Sequence, residues 1–154
     1  MGRRKSKLNK YAGLAIGFAL ASSVIGGPQL VHYAHVRAAA NANERLANHM
    51  AAARGWGPDQ QQCLDWLWQR ESGFSQYADT RITHAGGDGP GSAVFAYGIA
   101  QARPASKYPK AGQPADMGGS SNPEAQVGWG LSYLYAVYRD PCGGWAHEQA
   151  DGWY

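Results

Sequence analysis

Two cysteines, Cys63 and Cys142, constrain this chain more than any other feature, because most of its apolar residues outside the N-terminal tail lie between them. In an oxidising compartment the simplest expectation is one disulfide closing most of the domain. A loop of that size restricts the unfolded chain enough to stabilise the fold by roughly 4 kcal/mol. Two cysteines without ligand-spaced neighbours do not make a zinc site. The histidines do not help: His49 reads as a surface residue, and His84 and His147 fall in separate loops. No metal and no cofactor is expected.

Charge divides the chain sharply. Residues 1–40 carry six of the 14 basic residues and no acidic one, while residues 41–154 carry all 11 acidic residues. The basic balance therefore belongs to the tail, and no Lys/Arg stripe crosses the rest, so a nucleic-acid footprint is not expected. The tail has the layout of a secretory signal. Arg3 to Lys10 are positive, Tyr11 to Ile25 are apolar and uncharged, and Ala38-Ala39-Ala40 offers small residues for cleavage. The apolar run is short against the ~20 residues a membrane-crossing helix needs. Residues 1–40 are thus expected to be a signal peptide or an N-terminal anchor, with residues 1–27 touching membrane if uncleaved. The expected location is secreted or cell-wall associated. Beyond residue 40, a helical segment is expected over 41–55 and one monomeric domain over 56–154.

Along that domain the helical signals are clear. Leu46, Met50 and Ala53 recur at helical spacing before Gly55. Pro58 and Asp59 suit the first turn of a second helix, which runs to about Glu71. Residues 73–91 read as irregular, with Gly86 to Gly91 a loop and a candidate cleft rim. Ala93 to Ala102 reads as a strand or a bend, and residues 103–121 as a second long loop. Asn122-Pro123 starts a further helix, with Val127, Leu131, Leu134 and Tyr138 on its buried stripe, and Asp140-Pro141 stops it. Gly128 and Gly130 weaken that helix unless another backbone packs against them. Trp66, Trp68 and Trp129 read as core; Trp56, Trp145 and Trp153 are candidate sugar platforms.

Glu71 is the residue with chemical promise. Cys63, Leu67 and Glu71 fall four apart, and Leu64 and Trp68 widen the same stripe, so Glu71 rides the apolar side of the helix's last turn. Both burial and the helix C-terminus disfavour its charged form. A free glutamate is ionised at neutral pH, but a shielded one holds the proton that a departing sugar oxygen needs.

The order Glu71-Ser72, then Tyr97-Gly98-Ile99-Ala100-Gln101, then Asn122-Pro123-x-x-Gln126-Val127-x-x-Gly130-x-x-Tyr133-Leu134, resembles the motif series of soluble lytic transglycosylases. The Cys63 helix and the Cys142, Trp145 and Gly152-Trp153-Tyr154 end resemble small secreted actinobacterial proteins of that type. The resemblance covers roughly residues 56–154. It implies a mainly α, compact lysozyme-like domain whose long loops line a cleft. It also implies cleavage of the β-1,4 bond between N-acetylmuramic acid and N-acetylglucosamine in peptidoglycan, leaving 1,6-anhydro ends. Glu71 would be the catalytic acid. Ser72, Tyr97, Gly98, Ile99, Ala100, Gln101 and Tyr133 would line the saccharide site. Ala100 stands where methionine is commoner, and the Ala-Tyr-Asn segment of the family is absent.

Most glycosidases add a second carboxylate; Asp79, Asp88 and Asp116 are the loop candidates, Asp79 and Asp88 foremost. A hydrolytic muramidase using one of them is the rival chemistry. A non-catalytic peptidoglycan-binding wall protein, and a secreted protein that binds another protein, are the rival classes.

Overall fold

Pro58 opens the helix on which the site is built. The computed structural model describes residues 27–80, 95–103, 105–115 and 118–154. Four helices dominate: α1 (Gly27–Ala53), α2 (Pro58–Ser72), α3 (Pro123–Tyr138) and α4 (Pro141–Asp151). The described residues contain no β-strand, only isolated bridges pairing Asp79 with Tyr97 and Tyr97 with Ala102. None of these helices is long and apolar enough to cross a membrane. The loop expected at Gly86–Gly91, with Asp88, lies outside the described residues, as do His84 and Asp116.

Helix α2 has Asp59 in its first turn, where the macrodipole favours an anion. It ends at Gly73, whose φ of 58° is left-handed and whose N–H donates to the Gln69 carbonyl. Such a cap favours glycine because it has no Cβ to clash. Cys63, Leu64, Leu67 and Trp68 are buried along one face, as the spacing predicts. Trp66 departs from expectation: it is half exposed and meets Trp145 at a 6.0 Å ring separation. Its position, two residues from Leu64 and Trp68, points it away from their stripe.

The expected boundary at residue 40 falls inside α1, which continues back to Gly27. Alanines with high helix propensity and no internal proline or glycine carry the helix through residues 30–53. Packing begins only near Ala40. There, buried Asn43 donates to the Phe74 carbonyl at 2.8 Å, and further along Asn48 donates to Asp65 at 2.9 Å. The second bond ties α1 to α2 and the first ties it to the turn that follows α2.

Helix α3 starts as predicted, with the Asn122 side chain accepting from the Ala125 N–H. Pro141 ends it but also starts α4, a helix not expected from the sequence. Asp140 caps α4 by accepting from the Gly143 N–H at 2.8 Å, repeating the Asn122-Pro123 device. His147 accordingly lies on a helix, not in a loop. Helices α2 and α4 form the closest-packed pair, and the expected Cys63–Cys142 disulfide joins them. At Gly144 a Cβ would stand 2.5 Å from the Leu134 methyl, so this glycine lets α4 approach α3.

Gly130 is faced by side chains, not by a backbone. A Cβ there would stand 2.6 Å from both Ala100 Cβ and Trp68 Cζ2. Gly130→Ala gains ~1 kcal/mol of helix propensity but overpacks the core at a cost of ~1–3 kcal/mol. The expected net effect is a loss of about 1 kcal/mol. At Gly128 a Cβ would meet only the Met50 methyl, at 3.5 Å. Gly128→Ala should therefore stabilise, by up to ~1 kcal/mol. Urea midpoints of the two variants should move in opposite directions.

Candidate active site

Helix α2 delivers Glu71 half-buried at its C-terminal turn. The Glu71 carboxyl is pushed up from its ordinary 4.5 to about 7. Burial is the main cause. The neighbouring Glu148 adds to it, both through its charge and through a side-chain hydrogen bond, while Arg70 opposes. The acid is therefore held near neutrality, as the spacing of Cys63, Leu67 and Glu71 implies.

Glu148 is the neighbouring carboxyl that sequence reasoning missed. It belongs to α4 and is 2% exposed. One of its oxygens, Oε1, is 2.8 Å from Arg70 Nε. The other, Oε2, is buried and has no standing donor among the described residues. Asp79, the described second-carboxylate candidate, instead lies in the backbone bridge to Tyr97. A signal for Glu148 was present. Pro141, Gly144 and Glu148 fall three and four apart, the buried face of a helix whose cap and proline were readable.

The 97–101 segment lies against the end of α2. Ser72 Oγ donates to the Ile99 carbonyl at 2.7 Å, which gives it a bracing role. Most of the residues assigned to sugar contact turn inward. Tyr97 is 5%, Ile99 0% and Ala100 3% exposed. The φ of 75° at Gly98 is left-handed, and the Gln126 side chain fills the space a Cβ would need. Buried Gln126 holds the bend: Oε1 accepts from the Ile99 N–H at 2.9 Å, while Nε2 donates to the Gln76 and Gly112 carbonyls. Gln101 Nε2 donates to the Gly98 carbonyl at 2.8 Å and to the Ala78 carbonyl. Gln101 also has a left-handed φ of 44°, a strained state for a non-glycine residue.

A shallow depression opens beside this bend. It is lined by Ala100, Gln101, Ala102, Arg103, Lys107, Trp129, Tyr133 and Tyr154. Three of the predicted residues, Ala100, Gln101 and Tyr133, thus share one wall. Tyr133 stacks on Trp129 with centroids 5.2 Å apart, and Tyr108 meets Trp129 edge-on. The Tyr154 hydroxyl accepts from Trp68 Nε1 at 2.9 Å and donates to the Ala100 carbonyl at 2.8 Å. Burial raises the Tyr154 phenol well above its ordinary value, and the charges of Tyr108 and Glu71 add to this. Burial likewise pushes up the Tyr108 phenol, with a smaller contribution from Glu71. Glu71 therefore lies within electrostatic reach of the aromatic wall.

His147 accompanies Trp153 and Asp151: its Nδ1 is 2.7 Å from the Trp153 carbonyl oxygen, and Nε2 is 3.4 Å from Asp151. The described residues include no cluster of ligating side chains suited to a metal ion. What the arrangement offers is one carboxylic acid that gains and loses its proton near pH 7, within electrostatic reach of an aromatic depression that also holds two cations but whose lining does not include Glu71. Comparison of the chain with family models, curated proteins and solved structures gives no match.

Proposed function

We propose that the chain is a peptidoglycan-cleaving lytic transglycosylase of lysozyme-like fold, exported to the cell wall, with Glu71 as its acid. The observation that carries this reading is the Glu71 carboxyl, raised to about 7 and within electrostatic reach of the aromatic depression. A general acid is most effective when its proton affinity is close to the working pH. Aromatic faces suit sugar rings. Arg103 and Lys107 at the rim suit the carboxylates of muramic acid and its peptide. The disulfide accords with an oxidising compartment.

In the first step Glu71 gives its proton to the glycosidic oxygen, and the bond from that oxygen to C1 of the muramic acid breaks. The C6 hydroxyl oxygen then bonds to C1, and its proton passes back to Glu71. No water is consumed and the acid is regenerated. A hydrolase would instead need a carboxylate or a base-activated water across the ring, with carboxyl groups ~5–9.5 Å apart. Among the described residues, the carboxyl group that bonds Glu71 is Glu148, and a carboxylate at that range suits the ring-closing route.

Mass spectrometry of products from purified walls tests the proposal. The expected muropeptides are one water lighter than reducing-end products. Reducing ends would transfer the reading to a muramidase, and no soluble product under any buffer would leave only a wall-binding protein.

A further inference from the structure

A buried carboxylate oxygen with no donor is costly, and Glu148 Oε2 is such an oxygen among the described residues. The side chain that meets Glu148 is Glu71. A carboxylate cannot donate, but a carboxylic acid can. Among the described residues, Oε2 is therefore satisfied only while Glu71 is protonated. Arg70 settles which partner holds the proton. Its guanidinium is 2.8 Å from Glu148, so the negative charge of the pair rests on Glu148 and the proton on Glu71.

We propose that Glu148 is the positioning residue of this site: through a carboxyl–carboxylate hydrogen bond it holds the proton of Glu71 in place between turnovers. The inference rests on the reading of Glu71 as the acid and deepens it. Glu148 acts through Glu71 and does not reach the sugar. An O–H···O⁻ bond spans ~2.5–2.7 Å, whereas the second carboxylate of a retaining enzyme stands ~5–5.5 Å away. Glu148 is also 2% exposed, which leaves no room for a sugar ring between the two groups.

One arrangement serves both halves of the reaction. Before cleavage, the charge on Glu148 discourages Glu71 from ionising. After Glu71 has given up its proton, the same charge faces a new anion, and the repulsion makes Glu71 a stronger base toward the C6 hydroxyl. An acid that becomes the base within one turnover benefits from both effects.

The other groups facing the pair do not replace Glu148. From α2, Arg70 opposes the raised proton affinity of Glu71. From α3, the Tyr138 phenol is raised to about 12 by burial first, with Tyr133, Asp151 and Glu148 adding to it. Tyr108 and Tyr154 are likewise held as neutral phenols. On α4, His147 and Asp151 engage each other.

The test is a carbon-13 NMR titration of the Glu71 carboxyl, which needs no turnover, run alongside the pH profile of kcat on purified walls. In Glu148→Gln the Glu71 titration should move down by about one unit or more. The basic limb of the kcat profile should move with it, so that kcat falls about fivefold or more at pH 7 and recovers at lower pH, with KM unchanged. Arg70→Gln, at a residue whose side chain is 55% exposed, should move the titration the opposite way. A merely structural Glu148 would lower kcat at every pH without moving the limb. An unmoved Glu71 titration in folded Glu148→Gln overturns the inference. If Glu148→Gln does not fold, an Arg70→Gln titration that stays or falls overturns it instead. A wild-type protein that shows the titration but releases no muropeptides sinks the transglycosylase reading and leaves the carboxyl pair standing.

Discussion

Glu71→Gln should abolish the release of muropeptides from purified walls while leaving the fold intact. Glutamine keeps the shape of the side chain and can donate its amide N–H to Glu148 Oε2, the oxygen that otherwise has no standing donor. It cannot transfer a proton. General acid catalysis contributes ~10²–10⁴-fold, so the residual rate should fall by about three orders of magnitude. The same variant should be more stable than the wild type at pH 8. The folded protein holds the Glu71 proton up to about pH 7, against an ordinary value of 4.5. Folding is therefore favoured by this group below about 4.5, and that advantage is lost as pH rises to about 7. Glutamine does not titrate and escapes the loss. Discounted for the solvent that reaches this half-buried group, the gain is about 1–2 kcal/mol, or roughly 4–10 °C in Tm. At pH 4 the two proteins should melt together. Undiminished release by the variant would remove Glu71 from the chemistry, and equal melting at both pH values would remove the strain assigned to it.

Loss of the Cys63–Cys142 disulfide should have the largest effect on stability. The bridge spans 79 residues, and closing such a loop restricts the unfolded chain by roughly 4 kcal/mol. Against the ~5–15 kcal/mol that holds an ordinary domain, this is a large share. Cys63→Ser with Cys142→Ser should lower Tm by on the order of 15 °C. The bridge pins α4 to α2 beside the turn where α4 begins, and α4 brings Glu148 to Glu71. Activity should therefore fade in the double variant at temperatures below its melting transition. Thermal melts and wall-digestion rates, with intact mass before and after reduction to confirm the bridge, check both statements. A double variant that melts with the wild type would show that packing alone holds α4.

Much of this was readable along the chain. Pro58 and the Asn122-Pro123 pair announce helix starts because a capping side chain and a fixed φ act locally. The four-residue spacing of Cys63, Leu67 and Glu71 assigns the acid to the apolar face without any knowledge of its neighbours. The two cysteines, with no others to choose from, leave a single possible pairing within the chain. The 97–101 segment was only half legible. Its glycine and glutamine mark a bend, but whether such side chains face a sugar or brace a backbone depends on what packs behind them. Gln126, from a distant helix, fills that space.

The sequence by itself determined where helices start, which face of α2 is buried, and that a glutamate sits on it, because periodicity and capping act over one or two turns. Only the tertiary structure decided that Glu148 is the carboxylate meeting Glu71. Helix packing and the disulfide bring together residues 77 positions apart in the sequence, and the low-dielectric contact between them arises only once α4 lies on α2. The proton affinity of the acid is set first by burial and then by that contact, so it belongs to the fold and not to any local stretch of chain.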